Sequence, residues 1–166
     1  RVLIKRTKPC LPERYAALLS VIGKDKTRAV LKGLKLDNAT ISMAVKLVEY
    51  LGITPALTEP QMRHYINEVG KEDAIRVIDF NLSFADDSMH EEYTDMRKLC
   101  AHVLERGDCT SLKELDVTGK DLVDAGFEAG KQLGELLNSL LTEVLDNPSL
   151  NDRNYLLGRA KELGRR

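Results

Sequence analysis

The sequence predicts an all-α chain, and three observations carry that prediction. Apolar residues recur at spacings of three and four along almost all of its 166 residues, the mark of helices that bury one face. Sustained alternation, the mark of a strand, is confined to residues 2–4. Capping residues and glycines stand at intervals that suit helices of ordinary length. A chain of this size buries one sizeable core or two small ones and folds without disulfides or a structural metal.

The elements follow in order. Residues 1–8 are expected to form a short basic strand or extended arm with nothing before it to pack on. The chain opens on Arg1 instead of Met, so its amino end is expected to be a boundary inside a longer protein or a cleavage point. Pro12 suits a first helical turn, and Tyr15, Leu18, Leu19 and Ile22 then lay one apolar stripe that stops at Gly23. A second helix is expected over 25–34. Asp37 or Asn38 caps a third, in which Ile41, Val45, Leu47, Val48 and Leu51 face inward until Gly52. Residues 54–60 connect onward, with Pro55 and Pro60 as breakers. Helices over 59–69 and 71–84 are separated by Gly70. Asp86, Asp87 and Ser88 precede a longer helix whose buried face is Tyr93, Met96, Leu99, Cys100, Val103 and Leu104, and Gly107 ends it.

The last third carries the clearest signals. Thr118-Gly119-Lys120-Asp121 has the form of a capping box at the head of a short helix that runs to Ala125. After the turn Gly126-Phe127-Glu128-Ala129-Gly130 comes a helix with Leu133, Leu136, Leu137, Leu140, Leu141, Val144 and Leu145, closed by Asn147-Pro148. Asn151 is expected to cap a final helix, with Leu150 and Tyr155 spaced as a hydrophobic staple and Gly164 at its end.

Net charge is -1, but the charges are unevenly spread. Residues 1–50 hold eleven Lys and Arg against four Asp and Glu, whereas residues 51–110 hold six against twelve. A basic first third can be the footprint of a polyanion or simply a solvated helix face. Cys10, Cys100 and Cys109 are an odd set without the spacing of a disulfide framework or a zinc knuckle, which suits a reducing cytoplasm. No apolar run approaches the length of a membrane-spanning helix, and no signal peptide opens the chain.

Candidate chemistry is sparse. Asp86 and Asp87 are adjacent and point apart, so capping accounts for them better than a metal does. His64, His90 and His102 have neither an adjacent Asp nor a second His one turn away, and His102 is expected as a core or boundary residue. Cys100 and His102 point to different helix faces, which disfavours a nucleophile and base there. The stretch from Ala17 to Lys24 has the shape of the helix that carries a His-Asp doublet in HD phosphohydrolases, but Ser20-Val21 stands in its place and cannot hold a divalent metal. Gly119-Lys120 lacks the rest of a phosphate-binding loop. The spacing of Gly126, Gly130 and Gly134 admits two readings. One is close helix packing; the other is a helix amino terminus offering free N–H groups to a phosphate, with Lys120 and Lys131 nearby. Glu128 counts against the second, since its own carboxylate can fill that role.

Leu112, Leu115, Val117, Gly119-Lys120-Asp121-Leu122, Gly126-Phe127, Gly130, Gly134, Leu137, Val144-Leu145 and Pro148 together resemble the carboxy-terminal region of bacterial CCA-adding tRNA nucleotidyltransferases and the related poly(A) polymerases. Residues 12–51 also look like the family's body, including its HD-like part in degenerate form. Ala129 stands where the family often has proline, which makes the turn less rigid. The resemblance implies a helical body over 1–107 and a helical tail over 108–166. It also implies a parent enzyme whose catalytic head and neck, with Mg²⁺ and CTP or ATP, lie outside this chain, since no glycine-serine turn or paired strand aspartates occur in it. The implied role is to hold the acceptor stem and elbow of tRNA in the cytoplasm without catalysis. The residues expected to touch RNA are Arg28, Lys32, Lys35, Lys120, Gly126, Gly130 and Lys131. A degenerate HD-like phosphohydrolase and an all-helical protein-interaction module are the competing readings.

Overall fold

The computed structural model describes residues 10–164, so the expected extended arm over 1–8 and the two closing arginines lie outside the described residues. Among those described, the chain forms nine α-helices and three 3-10 turns with no strand, and it is all-α as its periodicity predicts. The helices are α1 (Leu11–Leu19), α2 (Lys24–Gly33), α3 (Asn38–Glu49), α4 (Glu59–Val69), α5 (Ala74–Phe84), α6 (Asp87–Arg106), α7 (Gly119–Asp124), α8 (Lys131–Asp146) and α9 (Arg153–Leu163). They sort into two compact units: residues up to Pro55 with Glu72–Lys98, and Ala56–Lys71 with residues from Leu99 onward.

In the first unit α1 and α2 both pack on α3, and α3 reaches α5. The Asp37 carboxylate caps α3 by accepting the Thr40 N–H at 2.8 Å. Ile41, Val45, Leu47 and Val48 are buried as their spacing predicts. The expected stripe on α1 needs correction. Leu18 is 59% exposed and Tyr15, Leu19 and Ile22 are only half-buried, while the buried face is Ala16, Ala17 and Glu13. Alanines are invisible to a search for large apolar residues, yet their short side chains let α1 lie close on α3. Glu13 is tolerated inside because Arg76 grips it with two hydrogen bonds, at 2.7 and 3.0 Å. α5 begins three residues later than expected, after a turn at 71–73. The α6 cap is Asp86, whose carboxylate accepts the N–H groups of Ser88 and Met89, both at 3.1 Å.

The second unit is built around α8, which sends Leu140, Leu141, Val144 and Leu145 into a core shared with Leu115, Val117, Leu122, Leu156 and Ala160. α4, α7 and α9 all contact α8. α4 opens on a capping box between Thr58 and Gln61, so Pro60 starts a helix and does not break one. The Thr118–Asp121 capping box forms as its sequence predicts. The cap of the last helix shifts by one residue: Asp152, not Asn151, accepts the N–H groups of Asn154 and Tyr155, at 3.0 and 2.9 Å. Asn151 instead accepts the Asp116 N–H and donates to the Glu114 carbonyl, each at 2.9 Å. A 3-10 turn at Pro148–Leu150 causes the shift and breaks the staple spacing, leaving Tyr155 40% exposed.

One polar knot sits inside this unit. Arg63 is only 2% exposed. Its Nε donates to the Leu145 carbonyl at 2.6 Å and its Nη2 to the Asp146 carbonyl at 3.2 Å, satisfying the carboxy end of α8. Its Nη1 reaches Asp108 at 3.2 Å and Glu59 at 3.3 Å. Arg106 pairs with the same two acids. Hydrogen bonds from Arg106 first, and from Arg63 second, hold the Asp108 carboxyl below its ordinary range against the opposing effect of burial.

Candidate nucleic-acid interface

The cations expected to meet RNA lie in both units. In the first unit Arg28 and Lys32 are one helical turn apart on α2, beside the buried positions Thr27 and Leu31. Both are exposed, and neither forms an ion pair among the described residues. Lys35 does not continue their helical row, because α2 ends at Gly33 and Leu34 is its cap. The Leu36 N–H donates to the Leu31 carbonyl at 3.4 Å and the Lys35 N–H to the Lys32 carbonyl at 3.0 Å. This is the Schellman ending, whose left-handed position usually belongs to glycine. Here Lys35 occupies it at φ 56°, the one non-glycine residue with positive φ among those described. Its side chain is exposed and unpaired among the described residues.

In the second unit Lys120 is exposed on α7, and Lys131 is the first residue of α8. The Lys131 ammonium is 3.5 Å from Glu135, with its side chain 91% exposed. Gly126 (φ 99°) ends α7, and Gly130 (φ 150°) precedes α8 in conformations that side chains rarely adopt. The α8 amino terminus has no side-chain cap. The close-packing reading of the glycines is overturned, since a Cβ at Gly126, Gly130 or Gly134 would meet nothing within 4 Å. The glycine that does permit close approach is Gly164, where a Cβ would come within 2.5 Å of the Phe127 ring. Gly130 and Gly134 are exposed, and Glu128 is exposed between the two turn glycines.

Other basic residues are committed elsewhere. Arg153 pairs with Asp121, and its hydrogen bond is the main reason that the Asp121 carboxyl lies far below its ordinary range. Arg159 pairs with Glu143 and Glu162, and Lys71 with Glu114. Lys24, absent from the residues singled out in the sequence, belongs to the α2 row but pairs with Glu49. Its place at i-4 from Arg28 was the available signal. His102 is exposed, contrary to its expected core or boundary position, because it follows the buried Cys100 by two residues and so points away. His64 lies 2.8 Å from Asp146, a tertiary pairing that sequence spacing does not reveal.

Among the described residues, no three His, Cys, Asp or Glu converge on a point. Ser20, in the place of an HD-type ligand, donates to the Ala17 carbonyl at 3.2 Å. Cys109 is buried, and desolvation raises its thiol pKa, which makes it a poor nucleophile. No described helix is long and apolar enough to cross a membrane.

Comparison with known proteins decides the affiliation. A family described as "tRNA nucleotidyltransferase domain 2 putative" matches residues 12–160, running through both units. The chain belongs to this tRNA nucleotidyltransferase family. A CCA-adding enzyme of Ligilactobacillus salivarius (strain UCC118) is 44% identical over 54 residues, which make up 32% of this chain and 13% of that enzyme. This member of the family thus aligns with only a small part of the length of that curated relative. No solved structure matches the chain.

Proposed function

We propose that this chain is the tRNA-holding part of a CCA-adding tRNA nucleotidyltransferase and carries no nucleotidyl-transfer chemistry of its own. The parent enzyme adds nucleotides from CTP and ATP to the tRNA 3′ end without a nucleic-acid template. A catalytic head and neck outside these 166 residues supply the Mg²⁺ and nucleotide sites. The helical body (1–107) and tail (108–166) hold the acceptor stem and elbow by phosphate and ribose contacts, which measure the shape of an RNA helix without reading its bases.

The observation that carries this reading is the set Arg28, Lys32 and Lys35, three exposed cations with no ion-pair partner among the described residues. An unpaired cation keeps its whole charge for a phosphate, whereas a paired one must first give up its acid. Lys120 and Lys131, with the exposed backbone at Gly126 and Gly130, are the second unit's contribution. Family membership and the CCA-adding relative favour tRNA over other polyanions.

The test is titration of the chain with a tRNA transcript at several salt concentrations, alongside an incorporation assay with CTP, ATP and Mg²⁺. Each phosphate neutralised contributes roughly -0.7 to -0.9 to the slope of log affinity against log salt. Binding should be weak, with a slope of several such steps, and no nucleotide should be added. Salt-independent binding, or nucleotide incorporation, overturns the proposal.

A further inference from the structure

The α2 row has a third member. Lys24, Arg28 and Lys32 recur every four residues, so they share one side of a helix over about 12 Å. The hydrogen bond from Lys24 to Glu49 raises the Lys24 pKa above its ordinary value, and Arg28, one turn on, opposes that rise slightly. Lys24 differs from its neighbours in one respect: its ammonium is hydrogen-bonded to the Glu49 carboxylate at the end of α3.

Both partners sit where helix dipoles disfavour them. Lys24 is the first residue of α2, a cation at the positive end of a helix, and Glu49 is the last residue of α3, an acid at the negative end. Each offsets the other's penalty. The pair is also open to water, with side chains 49% and 39% exposed, so it is easily exchanged for another partner.

We propose that Lys24 is a third phosphate-binding cation of the α2 row, held back by Glu49, and that Glu49 thereby limits the affinity of this face for tRNA. The inference rests on the tRNA-holding function proposed above. Glu49 weakens binding by occupying the Lys24 ammonium, which is then not free for a phosphate. Its removal exposes a complete row of three.

The experiment compares tRNA-transcript binding by the 166-residue chain, Glu49→Gln, Lys24→Ala, the double variant, and Asp95→Asn as a control. Asp95→Asn removes the same charge from an exposed pair on α6, that with Lys98. Glu49→Gln should steepen the salt slope by about one phosphate, so that its advantage over wild type shrinks about threefold between 50 and 200 mM salt. Lys24→Ala alone should change little, and in the Glu49→Gln background it should abolish the gain. Circular dichroism checks that each variant is folded.

Three results overturn the inference while leaving the tRNA-holding function intact: no gain from Glu49→Gln, a gain that survives Lys24→Ala, or an equal gain from Asp95→Asn. The last two would show only a change in overall charge. If the wild-type chain binds no tRNA at any salt concentration, the function itself fails and the inference falls with it.

Discussion

The carboxy ends of α2 and α7 are built alike and filled differently. Each closes with the same pair of backbone bonds, from Leu36 and Lys35 to Leu31 and Lys32 in one case, and from Phe127 and Gly126 to Leu122 and Val123 in the other. The left-handed residue is Gly126 at φ 99° after α7 but Lys35 at φ 56° after α2. Gly107, after α6, follows the glycine pattern. A side chain in that conformation costs about 1–2 kcal/mol. The fold accepts that cost at the place where an exposed charge also falls beside Arg28 and Lys32 in sequence, which supports a role for the charge itself. Both units pair some cations and leave others open: the first commits Lys24, Arg76 and Arg97 to acids but leaves Arg28, Lys32 and Lys35 unpaired among the described residues, and the second commits Arg63, Arg106, Arg153 and Arg159.

The contrast between paired and open cations breaks most severely at Arg63. Replacing it with Met should destabilise the second unit by roughly 3–5 kcal/mol, the usual effect of stranding one partner of a buried ion pair, and should be seen as a lower urea midpoint. Asp108 would lose one cation, and the Leu145 and Asp146 carbonyls their donors. A shift below about 1 kcal/mol would show that the knot matters little. The same knot sets an acid response. Because the folded Asp108 carboxyl lies below its ordinary 3.8, its contribution is complete above that value. It is lost as pH falls through the lower folded value. Asp108→Asn should flatten the acid limb of a stability–pH curve below about pH 4. An unchanged limb would assign it to other carboxylates.

Binding should divide the basic residues by pairing and not by number. Arg28→Ala with Lys32→Ala removes two unpaired cations and should reduce the tRNA salt slope by roughly two phosphate steps. Arg153→Ala with Arg159→Ala removes the same charge from internally paired residues and should leave that slope near wild type. Equal losses from both pairs would mean that net charge alone drives association.

What the sequence made legible was local chemistry. The caps at Asp37 and Thr118 and the bounds of α4 could be read because a capping side chain bonds within three residues of itself. The buried face of α1 could not, since two alanines and a paired glutamate carry it. Nor could Arg63, although a charge between Met62 and Ile66 marks a side chain that needs a distant partner. For the interface, the sequence supplied the basic residues but not their availability. Glu49 is 25 residues from Lys24, and Asp121 is 32 from Arg153.

The two helix ends supply the next test. Lys35→Gly should raise stability by about 1 kcal/mol while weakening tRNA binding, and Gly126→Ala should lower stability by about 1–2 kcal/mol. Thermal melts paired with binding titrations separate the two effects. If Lys35→Gly leaves binding unchanged, the lysine has no part in the interface, and its conformation is merely tolerated.

The smallest effect is expected at Gly134, inside α8. It is exposed, and a Cβ there would meet nothing, so Gly134→Ala should stabilise the helix by about 0.5–1 kcal/mol through its better propensity. If tRNA is held at this end of α8 by Lys131 and the backbone at Gly130, the added methyl group should leave binding as it was. A several-fold loss of affinity in a folded, stabilised variant would mean that the RNA backbone lies directly on the helix at Gly134. The spacing of Gly130 and Gly134 would then be explained by close approach to RNA, a role that packing within the protein does not give it.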